Sequence, residues 1–149
     1  MAVPKKDTFR LVSDYQAVNS QVEQSPGVMP HQEDMRELLG AKWFGKLDLL
    51  QGYWQIPMAS KAQDFFTIVT PDGLFNPTRV PQGVLNATSY FQGVMNDLLG
   101  GLDCKVWVDD VFYFAGEQIS FLCLLDEILG QLESVGLFVA AHKLSLIHI

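Results

Sequence analysis

Apolar residues along this chain recur at two different periods, and the predicted elements follow from them. "KKDTFRLVSDYQAVN" (5–19) opens as a basic turn and continues as a strand-like stretch, Phe9 to Tyr15. "SPGVMP" (25–30) reads as a loop, and "HQEDMRELLG" (31–40) as a short helix closed by Gly40. "KWFGKLDLL" (42–50) reads as a strand with Asp48 late in it, and "QGYWQIPM" (51–58) turns at Gly52. The β-forming "DFFTIVT" (64–70), the turn signal "PDG" and "LFNPTRV" predict a hairpin.

Beyond the loop "VPQG" (80–83), the stretch "NATSYFQGVMNDLLGG" (86–101) switches to helical spacing. Tyr90, Phe91, Val94, Met95, Leu98 and Leu99 face inward, and the Gly pair ends the helix. "CKVWVDDVFYFA" (104–115) predicts strand, tight two-Asp turn and strand, with Val106 and Val108 on one face. "QISFLCLLDEILGQLESVG" (118–136) predicts an amphipathic helix with Leu122, Leu125, Ile128, Leu129, Leu132 and Val135 inward. Strands and helices mix without strict alternation, so the fold class is α+β.

Composition narrows the class. With 149 residues, 48% of them hydrophobic and 18% charged, the chain is one globular domain or a piece of something larger. The net charge of −7 argues against generic nucleic-acid binding by bulk electrostatics. The charge is uneven: residues 1–80 carry 8 Lys/Arg against 9 Asp/Glu, residues 81–149 only 2 against 8. A phosphate-facing surface is therefore expected in the first half, around Lys5, Lys6, Arg10, Lys42 and Lys46; Lys61 and Arg79 read as surface charges. Cys104 and Cys123 form no CxxC pair, which argues against a zinc site and makes both expected core residues. No signal peptide or membrane-length apolar run occurs, so a reduced, intracellular protein with no membrane partner is expected. The sequon "NAT" at Asn86 is read as coincidence.

The chemistry concentrates in acids. Two carboxylates about 4 Å apart repel by roughly 4 kcal/mol at an effective dielectric near 20, yet Asp109 and Asp110 are adjacent inside an apolar run. If the strand ending at Asp48 neighbours that hairpin, three carboxylates converge, and Mg²⁺ or Mn²⁺ relieves the repulsion most simply. Two such ions would serve an in-line phosphoryl displacement. On spacing alone, a solvated hairpin turn is the favoured account of the pair.

Four segments in order, "VPKKDTFRLVSDYQAVN", "FGKLDLLQGYWQIPM", "VPQGVLNATSYFQGVMNDLL" and "VWVDDVFYF", resemble the reverse transcriptases of gypsy-type long-terminal-repeat retrotransposons, from about Val3 to Lys143. The resemblance implies a reverse-transcriptase palm, an antiparallel sheet backed by helices, with part of the fingers and no thumb. It implies an RNA-directed DNA polymerase using two Mg²⁺ or Mn²⁺ ions. Asp48, Asp109 and Asp110 would be catalytic and metal-binding, with the Leu49 carbonyl beside them. Lys6 and Arg10 would hold the triphosphate, Tyr53 would check the sugar, and Gln82 and Gly83 would contact the nucleotide. Implied partners are an RNA or DNA template with primer, deoxynucleoside triphosphates, and the rest of a Pol polyprotein with thumb, connection and RNase H. Implied too is a cytoplasmic virus-like particle.

Three departures stand out. Trp107 replaces the usual Tyr of the Asp-Asp turn, and Val84-Leu85 differ from relatives. Residues 144–149, "LSLIHI", correspond to the codons CTG-TCT-CTT-ATA-CAC-ATC, which resemble a transposase adapter used in sequencing libraries. They are expected to be an artefact, leaving 1–143 as a domain fragment of weak or no activity alone. Two other classes remain open: an inactive relic or nucleic-acid-binding scaffold, and a metal-dependent nuclease, which leaves "VPQG" and Tyr53 unexplained.

Overall fold

The computed structural model describes residues 2–5, 8–27 and 40–148, with residues 2–11 described by backbone alone. Strands β1 (Ala2–Lys5) and β2 (Thr8–Leu11) pair antiparallel, Ala2 opposite Leu11. The strand expected to run on to Tyr15 stops at Leu11, because Asp14 accepts the Gln16 N–H at 2.9 Å and turns the chain into α1 (Gln16–Asn19). The helix expected over 31–40 lies outside the described residues apart from Gly40.

Strand β3 (Trp43–Asp48) leads to a 3-10 turn at Gly52–Gln55, α2 (Ser60–Gln63) and a short hairpin, β4 (Ile68–Thr70) with β5 (Gly73–Phe75). Helix α3 (Ala87–Leu99), strands β6 (Cys104–Trp107) and β7 (Asp110–Ala115), helix α4 (Gln118–Ser134) and strand β8 (Ser145–His148) complete the order. The central sheet is antiparallel, β6–β7–β3–β8. Residues 144–149, set aside on sequence grounds, thus supply an edge strand through Ser145–His148, with Lys46 opposite Ser145 and Trp43 opposite His148. A sheet edge offers main-chain donors and acceptors, and any extended segment can take them.

Strand alternation sorts the sheet into two faces. Leu47, Leu49, Val106, Val111 and Tyr113 join Phe91, Met95 and Leu99 of α3 and Phe121, Ile128 and Leu132 of α4 in one core. Gly45 is paired with Tyr113 and buried, and a Cβ there would overlap the Tyr113 ring. Glycine at this strand position is room for tyrosine. The alternate positions Lys46, Asp48, Asp110 and Phe112 are in register on the face away from the helices.

Several expected core positions are corrected. Tyr90, Leu122 and Val135 are exposed, and Cys123 is exposed on α4. Only a narrow stripe of each helix meets the sheet; Tyr90 and Leu122 lie one residue, about 100°, off the buried Phe91 and Phe121, and Val135 lies past the helix end. Cys104 is half-buried, and burial pushes its thiol up to about 11. Among the described residues no helix is long and apolar enough to cross a membrane.

Candidate active site

The Asp-Asp turn is held in an unusual conformation. Val108, expected on the strand, sits in the turn with φ 56°, the left-handed region that β-branched residues avoid. Such backbone costs on the order of 1–3 kcal/mol and persists only where its surroundings enforce it. Gln92 of α3 enforces it here. Its side chain is fully buried; Oε1 accepts the Val108 N–H at 2.7 Å, and Nε2 donates to the Val106 carbonyl at 3.0 Å and to Asn96 Oδ1 at 2.8 Å. One amide therefore grips the backbone on both sides of Trp107. Sequence reasoning missed Gln92, although a glutamine beside Phe91 in the inward stripe was the available signal, because a buried amide must find partners.

Asp48 reaches the same place from β3. It is the cross-strand partner of Asp110, and the next residue, Leu49, donates its N–H to the Asp109 carbonyl at 2.8 Å. The Asp48 carbonyl accepts the Ala140 N–H at 2.8 Å, and Leu50 N–H bonds Phe138 at 2.8 Å. Gln55 locks this junction: Nε2 donates to the carbonyls of Leu50 (2.7 Å) and Phe138 (3.0 Å), and Oε1 accepts the Phe138 N–H at 2.6 Å. Arg79, read from sequence as a surface charge, donates to the Gln55 carbonyl at 2.7 Å. Gly52 is buried, and a Cβ there would lie 3.3 Å from Asp109 Cβ, so the turn leaves Asp109 its space. Leu49 has its side chain in the core, so only its backbone can serve the site.

Backbone register thus sets the three acids at neighbouring positions, and two of them carry resident cations. Lys143 Nζ lies 2.6 Å from Asp48 Oδ1, and Lys46 Nζ 2.8 Å from Asp110 Oδ2. Lys46 also sits over the Phe112 ring, 5.4 Å from its centroid. Asp109 is exposed at the turn. Among the described residues no three acidic, histidine or cysteine side chains gather closely enough to hold a metal ion. The donors are nonetheless carboxylate oxygens, the type that Mg²⁺ and Mn²⁺ prefer, so the residues present fit a hard divalent cation by chemistry.

The nucleotide-facing candidates that the structure describes come from separate segments of the chain. The Tyr53 ring packs edge-on against Phe91 at 5.8 Å, and its hydroxyl bonds Thr88 Oγ1 at 2.9 Å, so part of the ring serves the core. Gln82 is half-buried; Gly83 is exposed with φ 97°, a conformation suited to glycine. Arg10 is placed by its β2 backbone opposite Val3, and Lys6 lies outside the described residues.

Comparison with known proteins gives this edge a family. Residues 3–148 match the family described as "Reverse transcriptase (RNA-dependent DNA polymerase)". The chain is 29% identical over 140 residues to the enzymatic polyprotein of Figwort mosaic virus (strain DxS), covering 92% of this chain and 21% of that polyprotein. It is 28% identical over 156 residues to the retrovirus-related Pol polyprotein from transposon 412 of Drosophila melanogaster, covering 97% and 13%. The chain therefore spans about a fifth or less of these two relatives. Among solved structures, the foamy viral protease-reverse transcriptase dRH in complex with double-stranded DNA superposes with TM-score 0.91 at 29% identity, over 99% of this chain and 26% of that one. The same enzyme with an RNA/DNA hybrid gives 0.89 at 29%, over 99% and 20%. The antiparallel sheet and the helices behind it are those of a reverse transcriptase palm, and this chain belongs to the reverse transcriptase family.

Proposed function

We propose that this chain is the fingers and palm portion of an RNA-directed DNA polymerase from a gypsy-type retrotransposon Pol polyprotein, adding deoxynucleotides to a primer 3′-hydroxyl on an RNA or DNA template. The observation that carries the proposal is the register of Asp48 opposite Asp110, with Leu49 bonded to Asp109, at one sheet edge. Asp48, Asp109, Asp110 and the Leu49 carbonyl are the oxygens that would hold two Mg²⁺ or Mn²⁺ ions. When bound, such ions supply positive charge for the attacking hydroxyl and the leaving phosphate oxygens. Arg10, with its planar fork, and Lys6 would hold the triphosphate. Gln82 and Gly83 would contact the nucleotide, and the Tyr53 ring would exclude a 2′-hydroxyl by shape.

The test is Mg²⁺-dependent primer extension by a Pol polypeptide carrying this segment, where Asp109→Asn should remove synthesis. An unchanged rate would refute the assignment. A second reading, an inactive scaffold that keeps the palm fold, is favoured by the lysines already paired with Asp48 and Asp110, since the fold then balances its acids without a metal. Titration of the chain with Mn²⁺ separates the two: a poised site raises the melting temperature with ion concentration, and a scaffold does not.

A further inference from the structure

The "VPQG" loop is stitched to the opposite segment of the chain by two asparagines acting in reciprocal fashion. Asn19, the last residue of α1, donates from Nδ2 to the Gly83 carbonyl at 2.8 Å and accepts the Leu85 N–H on Oδ1 at 3.1 Å. Asn86, at the start of α3, accepts the Ser25 N–H on Oδ1 at 3.0 Å and donates from Nδ2 to the Glu23 carbonyl at 2.9 Å. Each amide uses both its donor and its acceptor, as a neighbouring strand would. The two stitches differ in what they hold. Asn86 anchors residues 23–25, whereas Asn19 holds the loop itself, on the carbonyl of the left-handed Gly83. Beneath that glycine lie the Ser13 carbonyl and the buried Tyr15 ring, each 3.7 Å from where a Gly83 Cβ would stand. The loop therefore has a floor from residues 13–15 and a clasp from Asn19.

We infer that Asn19 is a positioning residue for the incoming nucleotide: it fixes the peptide plane after Gly83 and thereby the direction in which Gln82 is presented. The inference rests on the proposed nucleotide role of Gln82. It also gives the polymerase reading a mechanical element, because the clasp ties the segment that follows β2, the strand of Arg10, to the loop of Gln82. The segments that carry both proposed nucleotide contacts are then tied to each other.

The experiment is single-nucleotide extension by the Pol polypeptide carrying this chain, with template-primer, Mg²⁺ and dTTP, comparing Asn19→Ala, Asn19→Asp, Asn86→Ala and Gln82→Ala. Each of the two Asn→Ala changes removes two side-chain-to-backbone hydrogen bonds, so they are matched in structural cost. Asn19→Ala should raise the nucleotide KM roughly tenfold, the scale of one to two hydrogen bonds, with kcat little changed. Asn86→Ala should leave KM near the starting value. Asn19→Asp, which keeps the acceptor for Leu85 but sets a carboxylate oxygen against the Gly83 carbonyl, should raise KM at least as far as Asn19→Ala. Amide exchange should show Leu85 protected in the parent and in Asn86→Ala and released in Asn19→Ala, while the paired amides of β3 and β7 stay protected in all three, which confirms that the fold survives while the clasp opens. Equal KM shifts in Asn19→Ala and Asn86→Ala, or none in Asn19→Ala while Gln82→Ala raises KM, overturn the positioning role alone. A Gln82→Ala enzyme with unchanged KM overturns the nucleotide role of the loop and the inference built on it.

Discussion

Replacing Gln92 by leucine isolates what holds the Asp-Asp turn. The two side chains are close in size, so the change subtracts hydrogen bonds more than volume. It leaves the Val108 N–H, now bonded at 2.7 Å, without its acceptor, and withdraws the donor at 3.0 Å from the Val106 carbonyl. A buried donor left without a partner costs about 1–3 kcal/mol, and a carbonyl with a second lone pair costs less. Against this, leucine adds apolar burial of about 1 kcal/mol. The net expectation is about 1–3 kcal/mol. For a chain of this size each kcal/mol moves the melting temperature by about 2–4 °C, so Gln92→Leu should melt about 2–12 °C lower by circular dichroism. The turn should respond locally as well. Without its acceptor, Val108 has no reason to keep φ 56°, so its amide should lose exchange protection before the rest of β6 and β7. A melting temperature within a degree of the parent, together with a Val108 amide that stays protected, would show that the turn is held by something other than Gln92.

Gly45→Ala forces a Cβ into the Tyr113 ring and should cost about 1–3 kcal/mol in a thermal melt; Gly45→Ala with Tyr113→Leu should couple favourably in a double-mutant cycle. Tyr113→Phe should be neutral or slightly stabilising, because the buried Tyr113 hydroxyl has no hydrogen-bond partner, and a clear loss on denaturant titration would contradict that. Stability should fall at alkaline pH. Burial raises the Cys104 thiol to about 11 and the Tyr113 phenol to about 12. The unfolded chain ionises them near about 8.5 and about 10, and so binds fewer protons than the folded one above those values. The loss should start near pH 8.5–9 and grow toward 11–12, and Cys104→Ser with Tyr113→Phe should flatten it. Lys143→Met should raise Mn²⁺ affinity measured by calorimetry, because the ion no longer displaces an ammonium 2.6 Å from Asp48; unchanged affinity would show that the pair does not compete.

What the sequence disclosed was whatever a residue type or a period announces by itself. β3, the β6–β7 hairpin and both long helices follow from alternation and helical spacing, and Asp48, Asp109 and Asp110 declare themselves because like charges in an apolar run need a reason. The amides did not. Gln92, Gln55 and Asn19 act on backbone groups 14, 83 and 64 residues away, and no local pattern encodes such a partner. The lysines were visible only as charge, since nothing local pairs Lys143 with Asp48 across 95 residues. Tyr90, Leu122 and Val135 were misplaced because apolar character says that a side chain can be buried, whereas the width of the sheet-facing stripe decides whether it is. Strand β8 was set aside for the resemblance of its codons to an adapter, yet main-chain pairing with β3 asks only for an extended segment.

Gln92, Gln55 and Asn19 share one further property. A carboxylate or an imidazole in any of these places could accept a hydrogen bond, but its grip would come and go with the proton concentration. An amide has no proton to gain or lose over the range in which proteins stay folded. These three grips are therefore uncoupled from acidity: a change of pH can alter the charge of the acids and lysines nearby, while the amide bonds that hold the backbone in place stay the same.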